Sequence, residues 1–282
     1  MFKKEKSLHM SNKHIGTIVL LSFAVLLIMI PLYYIFINAF KIDLYINIDP
    51  MGFKADYFTL NNLKSAWKSL DFPIGLRNSS LLVIISCIIM IVCGSLAGFA
   101  IAIVNNRFLR TIYITFILLI SVPFQVVMIP LVQVLSATNL MNSLFGTSLV
   151  FAALSLPFTI FLYTGFMRSL PRELCQAAIV DGCGMGKTYL YIYMPLMKTV
   201  TGTVLILRGT SVWNDLMVPL ITFTTEKYDP LIRRLYAYCS LQFNRWDLLF
   251  AGTLLCSIPI LVLFLALQKV FIKGITMGSV KG

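Results

Sequence analysis

Apolar residues in this chain come in long unbroken runs. They show neither the alternation of a half-buried strand nor the narrow stripe of a surface helix. A run of about 20 residues matches the roughly 30 Å hydrocarbon core of a bilayer when each helical residue rises about 1.5 Å. Six such runs predict six transmembrane helices: Ile15–Phe40, Leu81–Val104, Ile112–Leu135, Leu149–Met167, Val200–Phe223 and Leu248–Phe271. The expected fold class is therefore all-α integral membrane, one transmembrane domain over residues 1–282. Lys3, Lys4, Lys6 and Lys13 ahead of the first run imitate a signal peptide. That run is too long for a signal core and ends in no small-x-small cleavage site, so it reads as an uncleaved first span.

Composition agrees: 59% of residues are hydrophobic and only 12% charged, with a mean hydropathy of +0.88. A net charge of +12 would point to nucleic acid in a soluble protein. Threading six spans from a cytoplasmic N-terminus explains it differently. The inside segments then hold Arg107, Arg110, Arg168, Arg172, Lys187, Lys198, Lys269, Lys273 and Lys281 besides the N-terminal lysines, against Glu5, Glu173 and Asp181. The outside segments are nearly balanced. The charge is a positive-inside topology signal that puts both termini in the cytoplasm, and no nucleic-acid partner is expected.

Catalytic chemistry finds little support. The six cysteines include no Cys-x-x-Cys pair, Cys87, Cys93 and Cys256 lie in apolar runs and read as small packing residues, and the only histidines, His9 and His14, lie in the N-terminal tail. No metal site, cofactor or enzymatic activity is expected. Gly94, Gly98 and Ala102 recur at a spacing that lets helix backbones approach closely. Pro123, Pro130, Pro157, Pro219 and Pro259 allow kinks.

The fifth run carries Arg208, Trp213, Asn214 and Asp215 at membrane depth. A central arginine costs about 2.5–3.5 kcal/mol on insertion scales, so it must face a cavity, a counter-charge or a helix interface. Two readings stay open: these residues line a transport path for a polar or anionic solute, or they form a buried polar network between helices. Arg208 and Asp215 are seven residues apart, which suits a shared cavity better than a direct bond.

Residues 168–199 form the most informative inside segment. They contain Gly186-Lys187-Thr188, the ending of a phosphate-binding P-loop. The pattern G-x-x-x-x-G-K-[ST] requires glycine at position 181, where Asp181 stands, and it requires a preceding buried strand. The stretch "PRELCQAAIV" instead predicts a short helix, Pro171–Val180, with proline suited to its first turn. Asp181-Gly182 then turns, and "KTYLYIYMPL", Lys187–Leu196, gives a second helix. Ala177 and Ala178 leave a low-relief surface suited to docking in a partner's groove.

"PRELCQAAIVDGCGMGKTYLYIYMPLMK" resembles the EAA loop of ABC-importer permeases. "LAGFAIA" (Leu96–Ala102), "VWNDLMVPL" (Val212–Leu220), "RWDLLFAGTLL" and the tail "KGITMGSVKG" (273–282) are similar to the maltose-type, MalG-like carbohydrate branch, so the likeness spans the whole chain. The resemblance implies a type I permease fold and a subunit of an ATP-driven sugar or oligosaccharide importer of the bacterial inner membrane. It also implies partners: a second permease, usually a different chain, two ATPases docked at the EAA loop, and an extracellular solute-binding protein. By the same resemblance Glu173, Gln176, Ala177, Ala178, Asp181 and Gly182 couple to the ATPase, and Gly278, Ser279, Val280, Lys281 and Gly282 reach it from the tail. One departure is Gln176, which stands where the motif has glutamate and keeps a hydrogen bond but no ion pair. The alternatives are a permease for a non-sugar or acidic solute, an ATPase-independent carrier, or a membrane scaffold. A carrier needs paired intramembrane carboxylates, and only Asp215 is available.

Overall fold

A computed structural model describes residues 12–104, 106–239 and 245–279, and every regular element among them is a helix. The N-terminal lysines Lys3, Lys4 and Lys6 lie outside the described residues. The chain divides into two compact units, one of Met1–Trp67 with Tyr238–Leu255, the other of Lys68–Ala237 with Cys256–Gly282.

The first unit begins with α1 (Asn12–Ala39), followed by the short α2 (Asp43–Ile48) and α3 (Asn61–Ser69). Apolar side chains from Ile18 to Phe36 are exposed along α1, as a helix solvated by lipid requires. The segment after it is ordered by polar ties. Lys41 is fully buried, and its Nζ donates to the carbonyl of Asp49 at 2.6 Å. Asn62 Nδ2 donates to the Lys41 carbonyl at 2.6 Å. Burial lowers the Lys41 pKa from its ordinary value, against an opposing pull from Asp49.

The second unit holds α4 (Phe72–Ile103), α5 (Arg107–Leu119), α6 (Phe124–Ala137), α7 (Leu144–Ser169), α8 (Glu173–Val180), α9 (Met185–Lys187), α10 (Met194–Leu196), α11 (Lys198–Asn214), α12 (Met217–Thr222) and α13 (Leu231–Tyr236). The last helix, α14 (Trp246–Ser279), gives its first ten residues to the first unit and the rest to the second. Four helices are long and apolar enough to cross a membrane, and two further pairs pass together although bent. With each pair counted as one span, the described residues carry up to six, as many as expected, although the second pair takes in Met185–Leu196 of the expected inside loop.

Three expected boundaries change. The second span begins at Phe72, nine residues before Leu81. Arg77, Asn78 and Ser79 interrupt the apolar run but not the helix, because they serve its outer end. Asn78 Nδ2 donates to the carbonyls of Lys227 (3.1 Å) and Asp229 (3.2 Å), and Ser79 Oγ accepts from Leu231 N at 2.9 Å. Asp229 in turn pairs with Arg233; burial still pushes its carboxyl pKa up, against the pull of Arg233 and Arg234. The third span is no single helix: α5 and α6 meet at 108°. Pro123, which has no N–H and disfavours helix before it, stands at the N-cap of α6. The fifth span breaks after Asn214, where Asp215 turns extended (φ −76°, ψ 125°) before α12.

Candidate functional site

The cytoplasmic loop is a helix, a turn and a second helical run fastened to the spans. α8 starts at Glu173, two residues after the expected Pro171. It ends in a paired closure: Gly182 N donates to the Ile179 carbonyl (3.0 Å) and Cys183 N to that of Ala178 (2.8 Å). This Schellman arrangement needs a left-handed residue at Gly182, and its φ is +78°. The second run joins α9 and α10 through a π-helical stretch, Thr188–Tyr193, and is bent 70° from α11.

Spacing decides which face of α8 holds and which is free. Cys175 and Ala178, one turn apart, are buried; Glu173, Gln176, Ala177, Asp181 and Gly182 are exposed. Ala178 therefore does not add to the outer low-relief surface expected of it, because it packs inward and leaves that role to Ala177. Cys175 joins a core with Phe99, Tyr163, Met167, Tyr189, Tyr193, Met197, Val200 and Val204. The rings of Tyr189 and Tyr193 lie 5.4 and 5.1 Å from that of Phe99. Tyr189 OH is 2.7 Å from Ser95 Oγ, and Tyr163 OH is 2.8 Å from Thr201 Oγ1. α8 thus shares one close-packed core with α4, α7 and α11.

The loop exposes apolar residues as well: Ile179 and Val180 (86% exposed) on α8, and Met185 and Tyr191 (76%) on the second run. Sequence reasoning named neither these nor the anchors Cys175, Tyr189 and Tyr193. The signal was present as i, i+3 and i, i+4 spacing within the loop. Thr188, the last residue of the P-loop ending, is buried with its Oγ1 donating to the Gly184 carbonyl at 3.2 Å. The hydroxyl that a P-loop gives to magnesium is committed inside the helix.

The polar residues of the fifth span are not brought together. Arg208 stacks on Phe158 of α7, its guanidinium carbon 4.1 Å from the ring centroid, and its buried Nε has no hydrogen-bond partner among the described residues. Asp215 instead accepts from Val218 N at 2.8 Å, tying down the first turn of α12. Trp213 stands apart from both: it is buried, and its Nε1 donates to the Cys256 carbonyl of α14 at 3.3 Å. Asn214 is exposed, with its amide donating to Thr210 of its own helix at 3.0 Å. Of the tail, Gly278 and Ser279 end α14, and Val280, Lys281 and Gly282 lie outside the described residues.

Described residues whose regular elements are all helical, with up to six apolar spans and an exposed helix-turn-helix fastened to α4, α7 and α11, are built as a membrane permease. The profile of the binding-protein-dependent transport system inner membrane components matches residues 90–277, and the chain belongs to that family. It is 31% identical to the melibiose/raffinose/stachyose import permease protein MelC of Bacillus subtilis, covering 82% of this chain and 83% of that one. It is also 31% identical to the multiple sugar-binding transport system permease protein MsmG of Streptococcus mutans, over 99% of this chain and 100% of the relative. The fold is shared with the crystal structure of a bacterial ABC transporter involved in the import of the acidic polysaccharide alginate. The TM-score is 0.75 at 18% identity, over 94% of this chain and 100% of that one. The chain is thus a multi-pass permease subunit of an ABC importer in the inner membrane, with the type I permease fold.

Proposed function

We propose that this permease forms half of the path of an ATP-driven importer of sugars or oligosaccharides. The solute comes from an extracellular binding protein, and the chain takes its power stroke from a separate ATPase at α8. The observation that carries the coupling is the two-faced loop: Cys175 and Ala178 hold it to the spans while Glu173, Gln176, Ala177, Val180 and Asp181 stand free. Exposed apolar side chains on a cytoplasmic loop mark a protein interface. The relatives' names support sugar as the cargo. The tail, Gly278–Gly282, adds a second ATPase contact in this reading, and a second, different permease chain completes the path.

Arg208 is the path residue the geometry favours. Its helix also presents Ser211 and Asn214 on the exposed side. A cation over an aromatic face regains about 0.5–2 kcal/mol, less than the roughly 2.5–3.5 kcal/mol that a central arginine costs. Stacking on Phe158 leaves a deficit that water and solute oxygens in a path would offset. The test is uptake into proteoliposomes holding the assembled importer, its binding protein and internal ATP, with raffinose and an oligouronate as cargoes. Uptake should require ATP, and Arg208→Ala should cut transport of the cargo carried at least tenfold while leaving assembly intact. Uptake without ATP would refute the coupling, and full activity of Arg208→Ala would remove Arg208 from the path.

A further inference from the structure

The ends of α4, α5, α7 and α8 line an open cavity of about 700 Å³ whose arginines the transport reading does not use. Three arginines line it: Arg110 in the first turn of α5, Arg168 in the last turn of α7 and Arg172 at the N-cap of α8. The Arg168 guanidinium lies 4.9 Å from the ring centroid of Tyr113, which fixes its direction. None of the three makes an ion pair among the described residues, and no carboxylate lines the cavity; Glu173, next in sequence, is exposed outside it. The positive-inside rule asks only that basic residues lie on this side of the membrane, not that three of them surround one void. All three are exposed around it with no counter-charge of their own, and an anion among them gains attraction from each.

The remaining wall identifies the anion. Besides the polar Asn106, Tyr113, Gln176 and Tyr193, its lining includes the apolar Ile101, Ile103, Val104, Ile114 and Leu170 from the ends of α4, α5 and α7. A free anion gains nothing from such a wall, whereas a lipid does, since its phosphate sits among guanidinium forks and its glycerol and first acyl carbons lie on hydrocarbon. Basic pockets between membrane helices on the cytoplasmic side suit anionic headgroups. We infer that this cavity binds the phosphodiester headgroup of an anionic phospholipid of the inner leaflet. Arg172, Cys175 and Gln176 carry α8 into the same cavity, so a seated lipid joins the coupling helix to α5.

Native mass spectrometry of the assembled importer, exchanged into phosphatidylglycerol or phosphatidylethanolamine of the same acyl chains, tests this. Phosphatidylglycerol should be retained preferentially, and each of Arg110→Gln and Arg168→Gln should weaken retention about five-fold. Lys198→Gln, exposed and outside the cavity, should leave it unchanged. Arg110→Lys, which keeps the charge, separates lost attraction from misfolding by restoring most of the retention. Equal retention of the two lipids would overturn the inference, as would an equal loss in Lys198→Gln. Inorganic phosphate binding with the same arginine dependence and no lipid preference would make this a free-anion site and overturn the lipid assignment.

Discussion

At the scale of single residues, Gly182 is the position where conformation alone matters. A Cβ built there meets no atom within 4 Å, so a larger residue suffers no clash, only the left-handed backbone. That conformation costs an L-residue about 1–2 kcal/mol. Gly182→Ala should loosen the end of α8, raising hydrogen exchange at Gly182 and Cys183 about five- to thirty-fold, while Gly182→Asn should fall between. Unchanged exchange would mean the turn is imposed by its surroundings. Asp181-Gly182 was legible as a turn because its chemistry is local. The helix break at Asp215 was not, since an acid inside an apolar run does not by itself mark the end of a helix. The partner of Asp215, Val218 N, lies at the start of a new helix that needs an acceptor.

Among the described elements, the most extensive packing is between α4 and α7. A Cβ on Gly98 would sit 3.1 Å from the backbone N of Thr164 and 2.7 Å from Tyr163 Cβ, and one on Gly94 would meet only the side chain of Thr159 below 3.4 Å. Backbone cannot swing aside as a side chain can. Gly98→Val should therefore cost about 1–3 kcal/mol by overpacking, seen as a lower melting temperature of the purified permease. Gly165→Ala on α7, with nothing within 4 Å of the added methyl, should be neutral or stabilising. Equal melting of wild type and Gly98→Val would show that the helices do not depend on this contact. The Gly94/Gly98 spacing made the contact legible. The prolines did not sort themselves: Pro123 ends a helix, yet Pro130, Pro157 and Pro259 run inside helices. Whether neighbours satisfy the freed carbonyl is a tertiary matter that the residue type does not encode. The outer end of α4 was missed for a related reason, since Asn78 and Ser79 are polar in order to bind another segment.

For the whole molecule, the number of spans and the docking loop were legible because bilayer thickness and turn chemistry act along the chain. The cavity beside α8 was not, since Arg110, Arg168 and Arg172 come from three helices. That cavity alters what Gln176 means. Gln176 is exposed on α8 and also lines the basic cavity, so a glutamate there has two sets of cations to choose from, an ATPase's and its own chain's. A charge-assisted bond exceeds a neutral one by about 1–2 kcal/mol when partly buried, and exposed pairs are worth less and screened by salt. Competition from the chain's own arginines takes a further share. Gln176→Glu should thus tighten ATPase assembly no more than about tenfold at low salt, with the gain lost near 0.5 M, where the Debye length is roughly 4 Å. The same substitution should weaken phosphatidylglycerol retention, because a carboxylate at the rim occupies the arginines. Assembly measured by size-exclusion across a salt series, beside lipid retention, reads both at once. If neither affinity nor salt dependence of assembly changes, the glutamine at this position bears no weight in docking.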